Sequence, residues 1–74
     1  MKDVYELDVR QVTRIQTALI IAASAEDEVA AQMSEAAERL ERNGWNEESE
    51  LARGAVRAAC ARAAEYRDLI HALE

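Results

Sequence analysis

Hydrophobic positions fall into two long stretches of helical period, parted only at Asn43-Gly44-Trp45-Asn46. The chain has no proline, and Gly44 and Gly54 are its only glycines. Little inside either stretch can break a helix. The first helix is expected from about Val9 to Arg42, because Asp8 can cap it while Gln11 reaches back to the cap. Leu7 and Val12 stand at the positions of a hydrophobic staple over that cap. Gly44 fits the left-handed position that ends a helix, and Trp45 would then return toward Leu40 in a Schellman motif. Asn46 is the expected cap of a second helix, about residues 47 to 73, with Glu47 and Glu48 at its positive end. So short a connection joins antiparallel neighbours. The fold class is all-α: a two-helix hairpin forming one domain over residues 1–74, with residues 1–7 as an N-terminal arm.

A heptad reading of the first helix places Val12, Ile15, Leu19, Ala22, Glu26, Val29, Met33, Ala36 and Leu40 on the seam, flanked by Ala23, Ala30 and Ala37. The second helix offers Ala52, Val56, Ala59, Ala63, Tyr66, Ile70 and Leu73. Small residues oppose large ones along much of this seam, which lets the helices approach closely. Glu26 is its one charge, and a carboxylate there needs a partner. The Tyr66 phenol is the expected donor, with Arg62 or Arg67 in support.

Between Ala18 and Ala25 the first helix is apolar or small on every side, and Glu26, Asp27 and Glu28 follow at once. A helix apolar all round is covered on more than one side. Val12, Ile15, Leu19, Ile20 and Ile21 are therefore the candidate interface with a second chain, most economically another copy in a two-fold four-helix bundle. A partner helix from a different protein would satisfy the same residues.

Composition strengthens the case for association. At 74 residues, with sixteen alanines, no phenylalanine and a single cysteine, the chain has a thin core and no internal disulfide to reinforce it. The net charge of -6 opposes direct binding to nucleic acid or anionic membrane and favours a basic protein partner. Glu26, Asp27, Glu28, Glu35, Glu38 and Glu41 are the candidate acidic face for such a partner. Acid-first pairs at i,i+4, Glu6 with Arg10, Glu35 with Arg39 and Glu38 with Arg42, support the helices without a functional message. Met1 to Glu6 lacks a signal-peptide pattern and the apolar run is far shorter than the ~20 residues of a bilayer span, so a cytoplasmic location is expected.

Catalytic chemistry has little to work with. His71 is the only histidine and has no nucleophile positioned with it, Cys60 suits an alanine-rich helix as a small filler, and Asp68 to His71 only approximates a di-iron Glu-x-x-His element. A non-enzymatic chain without metal or cofactor is the expectation. Arg53, Arg57, Cys60, Ala64, Arg67 and His71 share one stripe of the second helix, read as a solvated face.

The stretches YELDVRQVTRIQTAL at the start and NGWNEESELA at the turn resemble those of small helical-hairpin proteins of phages and mobile elements, some of them anti-CRISPR or other anti-defence inhibitors. The resemblance covers about a third of the chain. It implies a non-enzymatic inhibitor acting in the host cytoplasm by steric or electrostatic occlusion, and it assigns no binding residue.

Overall fold

A computed structural model describes residues 8–74, and these form two α-helices, α1 (Val9–Arg42) and α2 (Asn46–Ala72), packed as an antiparallel hairpin. The arm over residues 1–7, including Glu6 and the Leu7 half of the staple, lies outside the described residues.

Local chemistry sets the helix ends. The Asp8 side chain accepts from the Gln11 backbone N–H at 2.8 Å, and the Gln11 side chain accepts from the Asp8 N–H at 3.0 Å. This reciprocal box satisfies donors that would otherwise have no partner in the first turn. At the other end Gly44 takes φ +79°, a value that disfavours any residue with a Cβ. The Trp45 N–H then reaches the Leu40 carbonyl at 2.9 Å and the Gly44 N–H reaches that of Glu41 at 3.1 Å, a complete Schellman motif. Asn46 does not cap α2 as its sequence position indicates. It is the first residue of that helix, no side chain caps the end, and the Trp45 carbonyl receives the Ser49 N–H at 3.0 Å. Trp45, the last residue of the Schellman turn, is itself the N-cap of α2 and caps it by backbone alone.

The packed centre is built from small residues. Ala37, Ala59 and Ala63 are fully buried, Ala23 and Ser49 nearly so, and no large side chain is fully buried among the described residues. Val12, Leu19, Met33 and Leu40 on α1, with Val56, Tyr66, Ile70 and Leu73 on α2, border this contact half-buried. Val12, Leu19, Glu26, Met33 and Leu40 keep their expected place on the seam of α1, while its alternate positions shift by one residue, to Gln16, Ala23, Ala30 and Ala37. Ile15 and Val29, assigned to it by the heptads, are each 38% exposed, whereas Ala23 and Ala37 occupy the centre. A methyl-sized side chain on the contact line allows the backbones to close together, and the larger neighbours then pack around the edge.

Two polar contacts follow from that closeness. Ser49 Oγ donates to the Ala37 carbonyl at 3.1 Å, and Gln16 Nε2 donates to the Ile70 carbonyl at 3.5 Å. They lie near opposite ends of the hairpin and share one register, so the helices stay in step along its length.

Candidate functional site

The two sides of the hairpin differ in chemistry. On one side Asp27, Ser34 and Glu41 recur at intervals of seven along α1, and Arg53, Cys60 and Arg67 do the same along α2. Arg53 pairs with Glu41 at 2.8 Å and Arg67 pairs with Asp27. This side is laced by charge across the helix boundary.

The opposite side carries Ile15, Ala22, Val29 and Ala36 on α1, with Ala55, Arg62 and Leu69 on α2, again at intervals of seven. Between Ala55 and Leu69 in that row, Arg62 is the one charge, and it turns inward: its Nε meets the Glu26 carboxylate at 2.6 Å. Glu26 keeps only 19% of its side chain exposed. The seam carboxylate is thus satisfied by Arg62, and the hydrogen bond from Tyr66 is not among those formed in the described residues. One row further out on α1 stand Gln11, Ala18, Ala25 and Gln32, without a charge until Arg39. Ile15, Val29 and Leu69 keep 38%, 38% and 51% of their surface exposed on this side among the described residues.

The candidate interface residues separate onto different faces. Val12 and Leu19 are half-buried within the hairpin, Ile15 lies on the open side, and Ile20 follows the row of Asp27 on the laced side. Ile21 stands on the outer surface of α1 in a row with Arg14, Glu28 and Glu35. Ile20 and Ile21 are 53% and 65% exposed, as expected for side chains pointing away from the seam.

The acidic residues also divide. Glu26, Asp27 and Glu41 are engaged by arginines of α2, and Glu35 pairs with Arg39 at 3.6 Å. Glu28 and Glu38 join no ion pair among the described residues, and Glu38 with Arg42 forms none of the expected support. The basic stripe of α2 is drawn into the same scheme through Arg53 and Arg67, while His71 lies 3.5 Å from Glu74. The cross-helix ladder is the feature sequence reasoning missed. Its signal was present: Asp27 and Glu41, like Arg53 and Arg67, are fourteen residues apart.

Trp45 is 58% exposed at the tip, beside a shallow depression formed with Gly44, Asn46, Glu47 and Glu48. A second depression lies among Glu65, Asp68, Leu69 and Ala72 on α2. Cys60 is a free, exposed thiol, and among the described residues no group of three His, Cys, Asp or Glu side chains is placed to hold a metal ion. Nor is any described helix long and apolar enough to cross a membrane.

Fold and surface together define an all-α helical hairpin with one laced side and one open apolar side. No protein-family model matches the chain, and no curated protein or solved structure is significantly similar to it.

Proposed function

We propose that this chain is a non-enzymatic protein-binding module that works as a homodimer, two hairpins forming a four-helix bundle. The observation that carries this reading is the open side, where Ile15, Val29 and Leu69 are exposed around alanines while the hairpin core is methyl-sized.

In its specific form the module is a small acidic inhibitor or regulator of the anti-CRISPR or anti-defence type, acting in the cytoplasm of a host. It occludes a basic, nucleic-acid-binding surface of a partner protein. The net charge of -6 supports this, and Glu38 is the acid of α1 left for such contacts, Glu28 lying on the edge of the open side. The test is affinity capture from host lysate by wild type and by Glu38→Gln. Capture of one basic protein, weakened by the variant and by salt, is the expected result. Capture that is indifferent to both removes the electrostatic basis.

A second reading is a self-assembling structural protein. The engagement of Glu26, Asp27, Glu35 and Glu41 within the chain favours it, since those charges are already partnered. It predicts concentration-dependent species larger than a dimer in light scattering after size exclusion.

A further inference from the structure

Resting on the homodimer reading, we infer that the occupant of the open side is a second copy of α1, packed antiparallel on a two-fold axis beside Ala22.

An isologous contact sets a helix against its own reversed copy, so the contacting stripe must match itself when read backwards. Between Gln11 and Gln32 the open stripe of α1 does, although beyond that span Ala36 falls opposite Asp8. In order it runs Gln11, Ile15, Ala18, Ala22, Ala25, Val29, Gln32. Reversed about Ala22, Ile15 comes level with Val29 of the other copy and Ala22 with itself, while Ala18 and Gln11 come within one residue, about 1.5 Å along the axis, of Ala25 and Gln32. The alanines permit close approach, as Ala23 and Ala37 do inside the hairpin.

Charge follows the same symmetry. Arg14, Ile21 and Glu28 form the row on the outer edge of this stripe, and the reversal brings Glu28 of the other copy within two residues of Arg14 along the axis, about 3 Å and in reach of two long side chains, with Ile21 near its own image. Within one chain those two charges are fourteen residues apart, about 21 Å along the helix, and cannot pair. Neither joins an ion pair among the described residues. A second copy supplies both partners twice over. The stripe also lies roughly a quarter-turn around α1 from its contact with α2, the arrangement of neighbours in a four-helix bundle.

The experiment uses the full chain in a Cys60→Ser background, with single cysteines introduced as Ala22→Cys and, for comparison, Ile20→Cys on the laced side. Mild oxidation should convert Ala22→Cys into a disulfide-linked dimer much faster than Ile20→Cys. Charge reversal supplies a readout independent of cysteine geometry: Arg14→Glu should weaken dimerisation roughly tenfold, and Arg14→Glu with Glu28→Arg should restore it. A dimer by sedimentation that links faster through Ile20→Cys, or that the double reversal fails to restore, overturns the α1 contact while leaving the homodimer standing. A wild-type chain that sediments as a monomer overturns both.

Discussion

The laced and open sides of the hairpin are built on the same two helices at the same intervals of seven, yet they answer different needs. Glu41 with Arg53 and Asp27 with Arg67 span the helix boundary and fix register in a structure whose alanine centre would tolerate sliding. Across the molecule, Ile15, Val29 and Leu69 stand at the edge of the hairpin contact with a third to a half of their surface left in water. Charge suits a boundary that stays wet, because exposed pairs contribute little stability but disfavour wrong registers. An apolar edge suits a boundary that another chain will close.

The largest effect should come from the centre that both sides share. Ala59→Leu places a branched side chain where the native residue has no exposed surface, and a loss of about 1–3 kcal/mol is expected in chemical denaturation followed by circular dichroism. Full wild-type stability for this variant would mean that the helices are not closely packed there. Gly44→Ala comes next, at roughly 1–2 kcal/mol, since φ +79° must be held by a residue with a Cβ and the Schellman bonds depend on it.

Val29→Glu separates the two sides most cleanly. It should alter the stability of the isolated hairpin by about 0.5 kcal/mol or less while abolishing association measured by light scattering. Unchanged association would remove Val29 from the interface. The smallest effect belongs to the laced side: Asp27→Asn should cost about 0–1 kcal/mol and lose its effect at high salt, because both members of that pair are half-exposed. A salt-independent loss well above that range would mean that the ladder holds the hairpin together.

Much of the fold was legible because its ends are governed by local chemistry. Asp8 with Gln11 marks the start of α1, and Gly44 followed by Trp45 marks its end, each through bonds between near neighbours in sequence. The alternate positions of the α1 seam were not legible, for a physical reason. Ala22 and Ala23, like Ala36 and Ala37, are interchangeable to any hydrophobicity pattern, so only Ile15 against Gln16 and Val29 against Ala30 could decide between them. Both comparisons favour the larger residue if burial inside one chain is the only use of an apolar side chain. The packed helices instead select small residues for their contact and leave Ile15 and Val29 outside it. Isolated charges were similarly ambiguous. Asp27 and Glu41 read as part of an acidic face until α2 brings Arg67 and Arg53 beside them.

Sedimentation equilibrium of the wild-type chain over a wide concentration range tests the proposed covering of the open side by a second copy most directly. The account predicts a species of twice the 8.2 kDa chain mass that dissociates on dilution. A mass of one chain at every concentration would contradict it, leaving the open side to a different protein.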